Sequence, residues 1–375
     1  MSPSSLFILA SLLVAAMAYP TTADVELHTR VARGGYGRPA GGYGNGGYGN
    51  GGYGNGGLDG GFNQGGEGGF GGTEPSSPKV AAGDTCHSAM TTGLRTILIT
   101  GATEGVGRQT AIDLAAHPAN HVIIHGRTEE KCCQAIAAVE RENGDAKNVS
   151  FIIANLSSMK ETSIMADEVA RRFPRLNMLV CNAGILQPRR TESKDGLEVT
   201  FQINYLSHFI LCNRLVELLA SNGPARIMII GSVLHSWTPL NWMDPQAVKD
   251  YEKYGQFARS KLMLHMMAMA LHRRMVLTNR PLTVNVIELA REKRETNNNS
   301  RSRSASALST SESCHSMARA IGGLVQFIES PACDRLSGKY LDAQGKQIRP
   351  GADATDERQQ ERLWTYTTEL CKAYL

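Results

Sequence analysis

The side chains of this sequence that could move a proton stand close together in one short stretch, YGQFARSK at residues 254–261. Lys261 supplies an ammonium group, and Phe257 lies one predicted helical turn before it on the same face. A hydroxyl group at position 257 could act as a general acid or base, because such a catalyst must be titratable and within hydrogen-bond reach. Phenylalanine has no titratable atom, so either the acid is absent or Tyr254 replaces it.

A second chemical feature is the stretch TGATEGVG at residues 100–107, which follows a predicted strand and precedes a predicted helix. Gly101, Gly105 and Gly107 permit a tight turn and a close approach of the backbone to a pyrophosphate. The amino terminus of the following helix would meet the negative charge of that group. The stretch therefore predicts a phosphate-binding loop.

Short apolar runs alternate with amphipathic helical stretches after residue 94, and they predict the elements that hold these residues. Apolar strands separated by helices indicate a parallel sheet covered on both faces. We therefore expect one α/β domain over residues 92–375, a doubly wound parallel sheet of Rossmann type with its ligand site at the carboxyl ends of the strands. The predicted strands are residues 94–100, 121–125, 149–154, 176–181, 226–231 and 282–287.

Further motifs follow the glycine loop in a fixed order. They are CNAG at 181–184, FQINYLSHF at 201–209, a strand ending in Gly231-Ser232, SKL at 260–262, and the segment SGKYLDAQGK at 337–346. Together with the loop, these motifs resemble the short-chain dehydrogenase/reductase family over about residues 92–372. The last segment is similar to the retinol-dehydrogenase-like branch of that family.

The resemblance implies a role for each catalytic position. Asn204, Ser232 and Lys261 match the asparagine, serine and lysine of the family, in which serine holds the carbonyl group and lysine lowers the pKa of a tyrosine and binds the nicotinamide ribose. Phe257 stands in the position of that tyrosine. A helix places Tyr254 about 4.5 Å and about 60° away from that position, so we expect its hydroxyl to miss the carbonyl.

The resemblance also implies the cofactor NADP(H), with weak or vestigial binding. Arg127, and with it Arg108, would meet the 2′-phosphate, although both are also compatible with solvated arginines at helix starts. The implied cofactor-binding residues are Thr100, Gly101, Gly105, Gly107, Arg108, Arg127, Asn155, Asn182, Ala183, Gly184 and Lys261.

Other departures from the family pattern point in the same direction as Phe257. Asn155 replaces the aspartate that contacts adenine, and Leu289-Ala290 replaces a proline–glycine pair beside the nicotinamide. The segment at residues 297–313, where a substrate lid would lie, is polar and low in complexity. These changes lead us to expect a catalytically impaired protein.

Composition excludes several classes of function. The formal net charge of +4 is spread along the chain without a basic, aromatic-rich block, so we expect no nucleic-acid partner. The 8 cysteines are scattered rather than dense, and no histidine or cysteine cluster has metal-ligand spacing, so we expect no metal. Cys181 and Cys212 lie in apolar segments and are predicted to be core thiols.

Residues 1–18 have the pattern of a signal peptide, with an apolar run followed by Ala16-Met17-Ala18. The alternative is a membrane anchor, but the run is shorter than the roughly 20 residues that span a bilayer. We therefore expect secretion, with the lumen or membrane of the endoplasmic reticulum as the alternative, and no spanning segment.

Residues 19–91 form a glycine-rich tail and linker in which Tyr43, Tyr48 and Tyr53 recur in GGYGN units. Such a segment buries too little side-chain surface to offset the ordering of its backbone, so we expect disorder. It is either a flexible spacer or a tail that binds matrix proteins, and its composition resembles that of insect cuticle and eggshell proteins.

Two functional hypotheses follow from the sequence. The first is a secreted, catalytically impaired short-chain dehydrogenase-like protein with a structural or binding role in an extracellular matrix such as cuticle or eggshell. The second is an NADP(H)-dependent oxidoreductase that acts on a lipophilic alcohol or carbonyl compound, as in the retinol-dehydrogenase-like branch. A homodimer is compatible with both.

Secretion predicts a mature protein that begins at Tyr19, or at Gly34 if the basic site RVAR at residues 30–33 is also cleaved. Amino-terminal sequencing of protein purified from culture medium checks this cleavage. A product that is retained in cells and still begins at Met1 would contradict the signal peptide.

Overall fold

The computed structural model of the chain describes residues 94–289 and 310–375, and the side chains of residues 310–317 are not described. The predicted signal peptide, the glycine-rich tail, Ala290 and residues 297–309 of the predicted lid lie outside the described residues. Residues 310–313 of that segment belong to a helix instead of a lid loop.

The described residues form a seven-stranded sheet in which every pair of neighbouring strands is parallel. The strand order is β3-β2-β1-β4-β5-β6-β7. This topology confirms the predicted doubly wound α/β fold. The strands are β1 (Arg95–Ile99), β2 (Asn120–Gly126), β3 (Val149–Ile153), β4 (Met178–Cys181), β5 (Ala225–Ile230), β6 (Leu282–Glu288) and β7 (Lys339–Asp342).

Helices connect the strands and cover both faces of the sheet. They are α1 (Gly105–Ala115), α2 (Glu129–Asn143), α3 (Met159–Arg172), α4 (Val199–Phe201), α5 (Ser207–Ser221), α6 (Lys253–Leu277), α7 (Thr310–Glu329), α8 (Ala352–Thr355) and α9 (Glu357–Cys371). Between α4 and α5 the chain forms one π-helical segment, Gln202–Leu206. Among the described helices, none combines the length and the hydropathy needed for a membrane span.

The central strands are apolar on both faces because helices pack on both sides of them. In β5, for example, each residue from Ala225 to Ile230 is buried. The six strands predicted from the sequence occur with boundaries that differ by no more than two residues. Cys181 and Cys212 are buried, with 3.8 Å between their sulfur atoms, so the prediction of core thiols is confirmed. Burial is the main cause that raises the pKa of Cys181.

The strand β7 is the element that sequence patterning did not predict. It has four residues, KYLD, and turn-forming glycines lie at positions 338 and 345. So short a run carries no measurable periodicity, and its place in the sheet comes from pairing with β6, where Tyr340 aligns with Val286. This pairing brings the Tyr340 side chain toward the site.

Arg226 is a buried charge that joins β5 to the end of α7. Its guanidinium group donates to the carbonyl oxygens of Phe327, Ile328 and Ser330 at 2.6–3.0 Å, and it forms an ion pair with Asp334. The last carbonyl groups of a helix lack partners within the helix, and a cation there also interacts favourably with the helix dipole. Arg226 therefore stabilises the end of α7 against the sheet.

We expect Arg226→Met to lower the free energy of unfolding by about 3–5 kcal/mol, because it leaves a carboxylate and several carbonyl groups without their buried donor. Urea denaturation measures the change. Arg141→Met is the matched control, because Arg141 pairs with Glu142 on the surface, and such pairs contribute below about 1 kcal/mol. Equal losses in the two variants would show that Arg226 has no special role.

Candidate active site

The glycine loop follows β1 and packs directly on the CNAG segment after β4. Gly101 and Gly105 have φ angles of +62° and +54°, which favour glycine. A Cβ atom at Gly107 would lie 2.4 Å from the Gly101 carbonyl oxygen and 2.5 Å from Asn182 Nδ2. The loop therefore has the close backbone packing that the sequence predicted for a pyrophosphate cradle.

Thr100 ties this loop to the neighbouring strand. Its hydroxyl oxygen accepts hydrogen bonds from the backbone N–H groups of Asn182 and Ala183, each at 2.9 Å. Asn182 Nδ2 in turn donates to the carbonyl oxygens of Thr100 and Gly101, at 2.9 and 3.1 Å. The predicted residues Thr100, Gly101, Asn182 and Ala183 are thus brought together at the point where the strand order reverses.

Two buried histidines, which the sequence analysis did not identify, complete the support of the loop. His125 Nδ1 accepts from Gly101 N–H at 3.0 Å, and its Nε2 donates to the Ala154 carbonyl oxygen at 3.1 Å. His208 Nε2 accepts from the Thr100 hydroxyl at 2.9 Å, while its Nδ1 donates to the Asn204 carbonyl oxygen at 2.8 Å. Burial lowers the pKa of each histidine to about 4, so both rings are neutral at physiological pH. The four-residue spacing of Asn204 and His208 on a helix was the available sequence signal.

The two arginines predicted to bind the 2′-phosphate differ from each other in their exposure to solvent. Arg127 is exposed after β2 and forms no hydrogen bond or ion pair with the described part of the chain, whereas Arg108 is half-buried in α1. Glu104 in the loop forms an ion pair with Lys131 of α2. Asn155 Oδ1 accepts from the backbone and the hydroxyl of Ser157, at 3.1 and 2.8 Å, so its carbonyl oxygen is engaged locally.

The predicted lysine and the phenylalanine before it share one face of α6, as the spacing indicated. Lys261 is buried, its Nζ donates to the Ile230 carbonyl oxygen at 2.9 Å, and it lies 5.6 Å from the centroid of the Phe257 ring. Phe257 is completely buried and packs with Leu234, with Leu186 and Tyr254 at the edge of the cluster. Aromatic carbon, with no hydroxyl, therefore faces the ammonium group.

Ser232 and Asn204 are also buried near this point. Ser232 follows β5, and its hydroxyl oxygen accepts from Leu234 N–H at 3.2 Å. Asn204 lies in the π-helical segment, accepts from Ile185 N–H at 2.7 Å and donates to its carbonyl oxygen at 3.0 Å. A Cβ atom at Gly184 would lie 3.6 Å from Asn204 Oδ1 and 3.8 Å from Lys261 Nζ, so these three residues meet at one point.

Tyr254 lies in the first turn of α6, where Glu252 caps the helix. Its ring faces Trp237, with 6.3 Å between centroids, and Lys253 Nζ lies 4.7 Å from the Tyr254 centroid. The ring thus lies on the outer side of the apolar cluster around Phe257. The displacement of its hydroxyl from the catalytic position stays a prediction.

Burial controls the charge of the site. Burial lowers the pKa of Lys261 to about 8, and the carboxylate of Glu288 is the main group that opposes this shift. Glu288 ends β6, is completely buried, and accepts a hydrogen bond from the Tyr340 hydroxyl at 2.8 Å. The next residue, Leu289, is buried as well. Sequence reasoning missed Glu288 and Tyr340, because their proximity depends on the pairing of β6 with β7.

Comparison of the sequence with known proteins identifies the family to which the chain belongs. Residues 95–305 match the family model described as short chain dehydrogenase. The chain belongs to the short-chain dehydrogenase family. It is 29% identical to retinol dehydrogenase 13 of Mus musculus over 307 residues, covering 77% of this chain and 87% of the relative. It is 30% identical to retinol dehydrogenase 14 of Homo sapiens over 287 residues, covering 72% of this chain and 84% of the relative.

A solved structure supports the fold of this short-chain dehydrogenase family member. An uncharacterized protein from Mycobacterium paratuberculosis superposes with a TM-score of 0.58 at 21% identity, covering 75% of this chain and 94% of that protein. At this identity the likeness concerns the fold alone. The retinol-dehydrogenase-like resemblance of the sequence motifs is confirmed by the two relatives.

We expect Gly107→Ala to destabilise the protein by about 1–3 kcal/mol, because an added methyl group must displace the backbone of the loop or the Asn182 side chain. Urea denaturation measures this loss. Gly322→Ala in α7 is the matched control, since a Cβ atom there meets nothing within 4 Å and alanine favours a helix. A Gly107→Ala variant as stable as the native protein would contradict the close packing of the loop.

Proposed function

We propose that this short-chain dehydrogenase family member binds NADP(H) and that the loss of a proton donor at Phe257 leaves it catalytically impaired. The single observation that carries the proposal is the packing of the Phe257 ring against Lys261, with 5.6 Å between Nζ and the ring centroid. Binding and chemistry therefore have different structural requirements here, and only those for binding are met.

The capacity to bind is supported by the glycine loop and by charge. The loop leaves no room for a side chain at Gly107, and the amino terminus of α1 provides N–H groups for a phosphate. Arg127, which has no partner in the described part of the chain, is suited to a 2′-phosphate because guanidinium binds phosphate oxygens in a bidentate manner. The residues present therefore fit NADP(H) better than NAD(H).

When bound, NADP(H) supplies or accepts a hydride. The chain must then supply or accept the matching proton, and a positioned general acid contributes about 10²- to 10⁴-fold in rate. Ser232 can hydrogen-bond a carbonyl oxygen, but a serine hydroxyl is a poor proton donor at neutral pH. Lys261 has no phenolic hydroxyl one helical turn before it to activate, because Phe257 stands there. The proposal follows from this gap in the proton path.

A second candidate is a working NADP(H)-dependent oxidoreductase for a lipophilic alcohol or carbonyl compound. Two relatives with 29% and 30% identity carry the name retinol dehydrogenase, which favours an active enzyme at the level of the family. The convergence of Asn204, Gly184 and Lys261 favours it as well. In this case Tyr254 or another group must replace the missing acid.

The biological setting is also a proposal. The signal-peptide pattern and the glycine–tyrosine tail, which lie outside the described residues, support a secreted protein with a structural or binding role in an extracellular matrix such as cuticle or eggshell. The tail would contact matrix proteins, and the dehydrogenase domain would act as a binding module. For the second candidate, the endoplasmic reticulum is the alternative location.

We expect the purified protein to bind NADPH, measured by fluorescence titration, and to show no turnover above background with retinoid, steroid and aliphatic alcohols or carbonyls. Restoring the hydroxyl group with Phe257→Tyr would raise the rate on the order of 10²-fold or more if Phe257 were the only defect. We expect little rescue, because Leu289 and Ala290 also depart from the family pattern beside the nicotinamide.

Matched variants separate the two candidates. Native activity that survives Phe257→Ala and disappears in Tyr254→Phe would establish the second candidate, because the acid would then lie three residues upstream. Absence of both binding and turnover in the folded protein would contradict the binding proposal itself.

A further inference from the structure

A set of buried polar side chains lies near Lys261. Besides Lys261 it contains Glu288 of β6, Tyr340 of β7, His265 of α6 and His235 of the 3-10 helix Val233–Ser236. Each side chain is buried. We call these five residues the Lys261 cluster. The family chemistry described above does not use the other four members.

The pairing of β5 with β6 places the two charged members side by side. Lys261 Nζ donates to the carbonyl oxygen of Ile230, the last residue of β5, and Ile230 aligns with Ile287 of β6. Glu288 is the next residue along β6, and the Tyr340 hydroxyl holds its Oε2 at 2.8 Å. The ammonium group, which α6 carries to the end of β5, and the carboxylate at the end of β6 therefore lie at adjacent strand ends and are both buried.

Burial lowers the pKa of both histidines of the cluster, which disfavours their charged forms. His235 Nδ1 donates to the Ser232 carbonyl oxygen at 2.7 Å, and its Nε2 accepts from Gly351 N–H at 2.9 Å. His265 stacks on His235 with 4.3 Å between ring centroids. Burial is the main cause that lowers the pKa of His265 well below its usual value, and repulsion between the two rings when both are protonated is the second cause. Both ring nitrogens of His265 lack a hydrogen-bond partner in the described part of the chain.

Among the described residues, Glu288 is the carboxylate whose charge raises the pKa of Lys261. A buried lysine without an anion loses its proton, since desolvation penalises the charged form. A neutral lysine still has two N–H bonds, but its hydrogen bonds to a ligand are weaker than those of an ammonium group. Because position 257 has only a phenyl ring, the charge of Lys261 depends on the nearby carboxylate of Glu288, which raises the pKa of the lysine.

We propose that Glu288, held by the Tyr340 hydroxyl, is a positioning residue that keeps the Lys261 side chain an ammonium group and so preserves it as a hydrogen-bond donor to a bound dinucleotide. This inference rests on the proposed binding of NADP(H). It also explains why a carboxylate, a phenol and a lysine are buried together in a site that lacks the acid for catalysis.

The sign of the expected pH dependence follows from the charges. Burial brings the pKa of Lys261 to about 8, and the Glu288 carboxylate raises it, so removal of that carboxylate lowers it further. Lys261 then loses its proton at a lower pH, and the charge-assisted contact is lost with it. The titratable groups around Lys261 are Glu288, Tyr340, Cys181, His208, His235 and His265.

The test is the dissociation constant of NADP⁺ measured by calorimetry from pH 6 to pH 9 for the native protein and Glu288→Gln. In the native protein, affinity should fall above about pH 8 as Lys261 loses its proton. In Glu288→Gln the fall should begin on the order of one pH unit lower, the usual minimum effect of a close opposite charge. Tyr340→Phe should shift the profile in the same direction by less.

Asp145→Asn is the matched control, because Asp145 is an acid on the surface before β3 whose carboxylate pairs with Lys147 at 2.9 Å instead. It should leave the pH profile unchanged. Superimposable profiles for the native protein and Glu288→Gln would overturn the role of Glu288, whereas native protein that binds no NADP⁺ at any pH would overturn the proposed function.

A measurement without cofactor tests the same contact independently. Glu288→Gln should lower the urea midpoint of the native protein by more than it lowers that of Lys261→Met, since only the native protein has a buried ammonium group that loses its counter-charge. If the Glu288→Gln single variant does not fold but the double variant with Lys261→Met does, that result would support the coupling equally. Equal losses in both backgrounds would overturn the inference even if NADP⁺ binds.

Discussion

The site depends on the hydrogen bonds that the hydroxyl group of Thr100 forms with the segment after β4 and with His208. This hydroxyl receives the first two N–H groups after β4, Asn182 and Ala183, and it donates to the buried ring of His208. The order of the parallel strands proceeds from β1 toward one edge of the sheet and from β4 toward the other, so a crevice must open at this junction. The hydrogen bonds of the hydroxyl hold the glycine loop in place against the segment after β4 that leads to Asn204.

A chain of hydrogen bonds between buried groups connects this junction to the catalytic positions. His208 donates to the carbonyl oxygen of Asn204, and the Asn204 side chain bonds to the backbone of Ile185 and to the Ser260 hydroxyl on α6. Lys261 is the next residue on α6. Because a buried polar group without a partner costs about 1–3 kcal/mol, each connection restricts the conformations available to the next.

The sequence predicted the parts of this arrangement that depend on local patterns. Apolar strand runs, glycines at a strand–helix turn and the four-residue spacing of Phe257 and Lys261 are local, and the structure places each as expected. Glu288 and Tyr340 could not be found in this way. Tyr340 belongs to a four-residue strand without periodicity, and its contact with Glu288 exists only because β7 pairs in register with β6. Long-range pairing of short strands has no counterpart in a local pattern.

The exchange of a hydroxyl for hydrogen at position 257 is favourable for the fold, although it removes a catalytic group. The Phe257 ring is completely buried among Leu234, Ala258 and Leu186, and a phenol there would need a hydrogen-bond partner in an apolar cluster. Leaving such a hydroxyl unpaired costs about 1–3 kcal/mol. In an enzyme that cost is offset by function, and sites of this kind exchange stability for activity. Phenylalanine removes the cost while it keeps the shape of the ring, so folding alone places no constraint on the acid. The buried charge of Lys261 differs in this respect, because no apolar side chain in its place could hold the carbonyl group of Ile230 or balance the carboxylate of Glu288.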